Sequence, residues 1–353
     1  MPSSRPQIRT AGRDDNQALL DLIFHNPQAG RILLASDRSP DFFARAAPYH
    51  TSRVLIGDDG SGIAGTVSCG LKDVCVQGHV QRAAYIFDLA VAERARGQGW
   101  ARRLLDDAEA WAREARADFL YAHVLAGNQP ALKTFGHAGY RQVVRLKALL
   151  FPAPTGGARA VRNSHPVGPE DWPAAAQLIA RELQDYDLSP AEAAERLPGL
   201  WQRLPGYRDE LAWIDGRPPS AVLGLWDYSA VSRSVFLRLP PELRALGAVL
   251  RALRRLGLPL PPVPAPGETM KYGLLLGAAG EPQALLALLR CALAQAGRIG
   301  LDALVYFHDP RRPPAWARAR SFSGAFHLVA KTVRPGRAST LGERPIWVDP
   351  IDL

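Results

Sequence analysis

Residues 93–105 (ERARGQGWARRLL) constrain this chain more than any other segment. Just before them, residues 83–91 (AAYIFDLAV) form a continuous apolar run holding one acid, the pattern of a buried strand. Just after them, Ala101, Leu104, Leu105, Ala108, Trp111 and Ala112 recur at helical spacing, which predicts an amphipathic helix over 99–115. Gly97 and Gly99 lack a Cβ, so the connection can turn tightly and approach a ligand. The first amides of a helix have no partners inside it, and the helix dipole favours negative charge there. The segment therefore reads as a cradle for an anion, with Arg96, Arg102 and Arg103 adding positive charge. It is not a P-loop, because no Gly-Lys-Ser/Thr follows, nor a dinucleotide fingerprint, because Arg102 stands where the third glycine belongs. The plain alternative is a glycine turn edged with surface arginines.

Around this unit the pattern is α/β (α+β). Residues 52–71 read as a hairpin turning at 58–62, preceded by helices over 14–25 and 40–47. Residues 118–125 read as a strand, 128–138 as a helix closed by Gly139, and 140–150 as a last strand. A Pro- and Gly-rich linker over 153–168 follows. The order of elements then partly repeats. Helices are expected at 170–186 and 190–203, strands at 210–214 and 220–227, and an inserted helix at 241–256 before a Pro-rich loop over 257–267. Strand 269–276, helix 281–296, strand 301–307 and strands near 325–333 and 345–348 complete the series. The repetition predicts two tandem domains of one fold, 1–152 and 169–353, each a mixed, mostly antiparallel sheet flanked by helices.

A chain of 353 residues suits two domains, and 47% apolar content is enough for packed cores. No apolar run reaches the ~18 residues that span a bilayer, and the N-terminus has no signal-like apolar stretch. Three cysteines without a CxxC pair suit a reducing compartment, so the expected location is cytoplasmic. The net charge of +9 favours anionic partners, but the arginines are scattered along helices without interleaved aromatics. Neither a nucleic-acid nor a membrane partner is expected. The histidines show no metal-ligand spacing, so no metal is expected.

The 93–105 segment resembles the phosphate-binding motif of the GNAT superfamily of N-acetyltransferases, Gln/Arg-x-x-Gly-x-Gly/Ala. It matches in two frames, through Arg94, Gly97 and Gly99, and through Arg96, Gly99 and Ala101. Residues 128–140 (NQPALKTFGHAGY) resemble the family's second motif at Asn128, Ala131, Gly139 and Tyr140. The resemblance covers roughly residues 5–150. It implies an acetyl-CoA cosubstrate held by Arg96, Gly97, Gln98, Gly99, Trp100, Ala101 and Arg102, with Asn128, Ala131 and Phe135 beside it. It also implies a thioester carbonyl polarised by a free amide among Leu89, Ala90 and Val91, at a bulge where two strands splay. From the residues alone, Asn128 and Gly139 are equally helix caps, and Leu132 and Phe135 core.

Acyl transfer to an amine needs a proton acceptor, an oxyanion donor and a leaving thiolate. The family's thiolate acid is a tyrosine in the second motif; this chain has Phe135 there, which donates no proton. Tyr121 and His123, alternating onto one face of their strand with Phe119, are the nearest candidates. For the base, Asp88 and His123 stand out. Asp88 is a lone acid in an apolar strand, so it is either catalytic or paired with an arginine or a backbone amide. His123 is either a base facing the acceptor or a core histidine. Cys69 and Cys75 have no visible activating partner, which argues against a covalent acyl-enzyme.

In the second half, the residues after strand 269–276 (GAAGEP) lack arginine and carry an acid, so that copy is expected to have lost the cosubstrate. Trp201, Trp213 and Trp226 read as core. The expected function is direct acetyl transfer to an amine of a small molecule or protein, the alternative being an acyl-CoA-binding protein without turnover. Asp37, Asp41 and Tyr49 are candidate contacts for a cationic amine.

Overall fold

The structure, a computed structural model, describes residues 7–27, 32–154, 164–255, 264–317, 321–334 and 340–353. Most of the expected linker and of the Pro-rich loop lies outside these residues. The first half comprises β1 (Gln7–Thr10), α1 (Asn16–Phe24), β2 (Leu33–Asp37), β3 (Thr51–Asp58), β4 (Ile63–Val76) and β5 (His79–Val91). It continues with α2 (Trp100–Glu114), β6 (Phe119–Leu125), α3 (Gln129–His137) and β7 (Arg141–Pro152). The second half opens with β8 (Ser164–Pro166), α4 (Trp172–Leu183), β9 (Ser189–Pro190) and α5 (Ala193–Gln202). Then come β10 (Ala212–Asp215), β11 (Ala221–Asp227), β12 (Arg233–Arg238) and α6 (Pro241–Arg255). Last are β13 (Thr269–Met270), β14 (Tyr272–Gly280), α7 (Pro282–Arg298), β15 (Ala303–His308) and β16 (Phe322–Thr332).

One sheet runs through both halves in the order β1-β3-β4-β5-β6-β16-β7-β15-β14-β11-β10-β8, with β9 pairing the far end of β4. Its neighbours are antiparallel except β5 with β6 and β14 with β15. Each parallel pair is joined by a crossover helix, α2 or α7, as parallel strands require. The class is the expected one, α/β with a large, mostly antiparallel sheet between helices.

The division expected at 153–168 does not divide the sheet. β16, at the end of the chain, inserts between β6 and β7, pairing Thr332 with Phe119 on one side and Phe322 with Leu150 on the other. β7 in turn pairs β15 of the second half. The ladders bury both flanks of β7, so neither half closes its own sheet. Part of the expected linker, 164–166, is itself strand β8. Two expectations for single elements are corrected. Residues 42–46 form a 3-10 turn, not an α-helix, and among the described residues 345–348 contribute only an isolated bridge from Ile346 to Asp187.

Side chains alternate across the sheet as the strand period dictates. Ala84, Ile86, Leu120, Ala122 and Val124 pack against Leu104, Leu105 and Ala108 of α2. Tyr85, Phe87, Phe119 and Tyr121 face the opposite side, into a core shared with α4, α5 and the last residues of the chain. Trp201 and Trp226 lie in that core, and Trp213 in the one beneath α7.

Candidate functional site

Two forks break the sheet. β5 and β6 pair only from Ala83–Phe119 to Tyr85–Tyr121, then separate. At that point β5 carries a bulge: Ser68 pairs Phe87 and Thr66 pairs Ala90, so Val67 alone faces Asp88 and Leu89. Asp88 takes a left-handed φ of 55°, which Asp tolerates better than most residues. Leu89, Ala90 and Val91 lie half-buried on the β5 arm, past the last β6 partner. His123 lies two residues past the end of pairing on the β6 arm. The second fork repeats this geometry. β14 and β15 pair from Tyr272–Ala303 to Leu274–Val305, and a bulge places Gly277 at φ 51°. That fork is filled, however. A Cβ on Gly277 would fall 2.6 Å from the Trp201 ring and 2.8 Å from Ile179.

At the first fork the chain turns from β5 into α2. Gly97 and Gly99 have φ of 75° and 79°, and Gly99 caps the helix. A Cβ at either glycine would meet nothing within 4 Å, so space lies open beside the turn. Among the described residues, the amides of Gly97 to Arg102 have no hydrogen-bond acceptor; the first amide bonded back is that of Arg103, to the Gly99 carbonyl at 3.1 Å. The donors needed to hold a pyrophosphate are thus present and unsatisfied. The side chains are arranged differently from the sequence expectation. Trp100 is buried beneath Arg103, whose guanidinium carbon lies 3.8 Å from its ring centre. Arg102 binds Asp106 at 2.8 Å and donates to the His137 carbonyl. Arg96 donates to Asn26 and Gln98 to the Arg94 carbonyl, both at 3.0 Å. Arg96 and Arg103 have no carboxylate partner among the described residues and supply the local positive charge.

The second motif is structural in its side chains. The Asn128 oxygen accepts from the Ala131 amide at 3.2 Å, capping α3, and Ala131 packs against the α2-side core. Phe135 is buried in that same core, edge-on to Tyr140 with ring centres 5.0 Å apart.

Asp88 takes the paired alternative. Its carboxylate accepts from Arg38 at 2.5 and 2.6 Å and from Arg45 at 2.7 Å. Burial favours its neutral form, but the two guanidiniums outweigh it and hold its pKa below the ordinary carboxylate range. A carboxylate so placed is a poor proton acceptor and a good anchor for the bulge. Tyr121 donates to Asp352 at 2.6 Å, and burial followed by the Asp352 charge pushes its pKa well up. Both ring nitrogens of His123 are buried without a partner among the described residues. Burial, with Lys72 and Arg45 nearby, lowers its pKa to about 3, so the ring is neutral. It packs among Tyr85, Tyr121 and Phe326.

Sequence reasoning missed the residues that close the site from behind. The 349–353 segment reaches back under the sheet. Lys72 binds Asp349 and Asp352, each at 2.9 Å, and Tyr49 donates to Asp352 at 2.8 Å. Arg45 donates to the Asp352 carbonyl, and Tyr228 to the Leu353 carbonyl. No local pattern signals this, because the partners lie between 125 and 307 residues apart. The proposed amine contacts are otherwise engaged: Asp37 pairs Arg233, and Asp41 pairs Arg13 and caps the 3-10 turn. Burial pushes the Cys69 thiol far up, so it is no nucleophile. Among the described residues no cluster of His, Cys, Asp or Glu is arranged to hold a metal, and no helix is long and apolar enough to cross a membrane.

The Acetyltransferase (GNAT) family pattern matches residues 19–140, which contain the first fork and its glycine turn. No curated protein sequence matches the chain. Among solved structures, Saccharomyces cerevisiae N-myristoyltransferase with bound myristoyl-CoA and inhibitors superposes with a TM-score of 0.65 at 9% identity, covering 99% of this chain and 87% of that one. A GCN5-related N-acetyltransferase from Sphaerobacter thermophilus superposes with a TM-score of 0.56 at 14% identity, covering 96% of this chain and 99% of that one. At such identities the likeness is one of fold, and it spans both halves. Residues 19–140 thus match the Acetyltransferase (GNAT) family, and the chain around them shares the fold of these solved structures.

Proposed function

We propose that the chain is an N-acyltransferase that moves an acetyl group from acetyl-CoA directly to an amine of a small molecule or protein, in the cytoplasm. The observation that carries this reading is the adjacency of an open fork and an unsatisfied amide cradle at its mouth. The amides of Gly97 to Arg102 bind the pyrophosphate, and Arg96 and Arg103 offset its charge. The stretch Leu89–Val91, which has no partner on its β6 side, offers the amide that holds the thioester carbonyl and then the oxyanion, in a half-buried setting where such a bond gains strength. Asp88, with Arg38 and Arg45, fixes the bulge that aims that amide. His123 positions the neutral amine by accepting a hydrogen bond at a bare ring nitrogen, and Tyr121 lies beside the leaving sulfur. The amine nitrogen forms the new C–N bond, the C–S bond breaks, and the proton lost by the amine balances the one gained by the thiolate. A thiol pKa near ~8.5 lets the thiolate leave with weak protonation, so Phe135 does not preclude transfer.

Phe135 supports a second reading, an acyl-CoA-binding protein without turnover. Release of free thiol from acetyl-CoA, followed across a set of primary amines, separates the two. Amine-dependent thiol release supports transfer. Tight binding of acetyl-CoA with no amine raising thiol release above the background rate supports the second reading instead.

A further inference from the structure

A cavity of about 200 Å³ opens between the two halves, on the side of the sheet that His123 faces. Its floor holds Tyr49, Lys72 and Asp349, and its apolar walls include Leu71, Leu200 and Ile351. The floor has one ammonium for two carboxylates, since Lys72 alone neutralises Asp349 and Asp352. Burial, then the repulsion from Asp352, raises the Asp349 pKa against the pull of Lys72. A second cation there would relieve that repulsion. The floor also adjoins the fork: Lys72 and Asp349 both act electrostatically on His123, and Tyr49 stacks on Phe87 of the β5 arm with ring centres 5.6 Å apart.

The rim has the opposite character. Arg82 and Arg196 share Asp73, and Arg196 also binds Glu192. Arg203 is exposed, and its guanidinium lies against the His50 ring, the closer nitrogen at 2.7 Å. Among the described residues it has no carboxylate partner, so its planar fork of donors is free for an anion.

We infer that this cavity is the acceptor site and takes a compact amine that also carries a carboxylate or phosphate, with the anion at Arg203 and the amine toward Asp349 and His123. The inference rests on the acyltransferase reading. A volume near 200 Å³ with apolar walls suits a molecule the size of an amino acid.

The test uses matched probes on the full chain: L-leucine against isopentylamine, L-phenylalanine against phenethylamine, and phosphoethanolamine against ethanolamine. Each is titrated by calorimetry and assayed for thiol release with acetyl-CoA. At least one anionic amine should bind and be acylated, with KM at least about tenfold below that of its plain partner, the size of one charge-assisted hydrogen bond. Arg203→Met should abolish that preference by raising KM for the anionic amine, with acetyl-CoA affinity unchanged, and Arg203→Lys should restore part of it. The inference is overturned if no anionic amine binds, if the plain amine does equally well, or if Arg203→Met leaves the preference intact. Acetyl-CoA affinity is measured separately, so failure of the acyltransferase reading shows as loss of that binding and not as loss of probe binding.

Discussion

At the scale of single residues, the site depends on buried charges that hold one another. Replacing Asp88 by Asn leaves two buried guanidiniums without their counter-charge and should destabilise the chain by about 3–5 kcal/mol, read from denaturant unfolding. The sign of the pH dependence follows from its depressed pKa. The stabilisation is present above the unfolded carboxyl pKa near ~3.9 and is lost as pH falls through the lower folded value. His123 acts over a higher window. Its folded pKa near 3 lies below the unfolded ~6.5, so the unfolded chain binds the extra proton between those values. Stability should therefore fall with acidification below pH ~6.5, by at most about 1.4 kcal/mol per pH unit from this residue. His123→Leu should flatten the unfolding midpoint between pH 7 and 5; an unchanged slope would show that the ring is not buried neutral. The lone acid in an apolar strand was legible as Asp88, but its partners were not, because Arg38 and Arg45 come from segments 50 and 43 residues away.

At the scale of elements, periodicity revealed what is locally determined. The amphipathic stripe of α2, the apolar run of β5 and the hairpin of β3 and β4 all appear where their patterns place them, with β4 and β5 extended beyond the expected hairpin. The short strands β2 and β12 gave no signal, since they pair with each other across about 200 residues in a separate small sheet, whereas β13 falls within the expected strand 269–276. The second fork shows how an element loses a ligand site. α7 begins at Pro282 after Glu281, with no left-handed glycine turn beside an arginine, and Trp201 occupies the space by Gly277. Trp201→Ala should cost about 3–5 kcal/mol, because the emptied fork cannot collapse around a sheet, and should leave acetyl-CoA binding at the first fork unchanged. Loss of that binding together with stability would mean that the forks are not independent.

At the scale of the whole molecule, the exchange of β16 and β7 makes the halves one folding unit. A fragment ending at residue 152 exposes the β6 edge and both edges of β7, with the apolar faces that β16 and β15 cover. It should not fold alone, and coexpression with 153–353 should restore a soluble complex by size-exclusion chromatography. A monomeric, cooperatively folded 1–152 fragment would contradict the exchange. The repeat of elements was visible in the sequence, but not the crossing of the last strands, because strand pairing at such separation leaves no mark in local pattern. Calorimetry of acetyl-CoA with the intact chain and with a Gly97→Val, Gly99→Val variant tests the open fork and its cradle. Micromolar binding to the intact chain is expected, lost in the variant because β-branched residues at φ of 75° and 79° force the turn out of the conformation that presents its amides and fill the space beside it. Equal binding by both, or none by the intact chain, would contradict it.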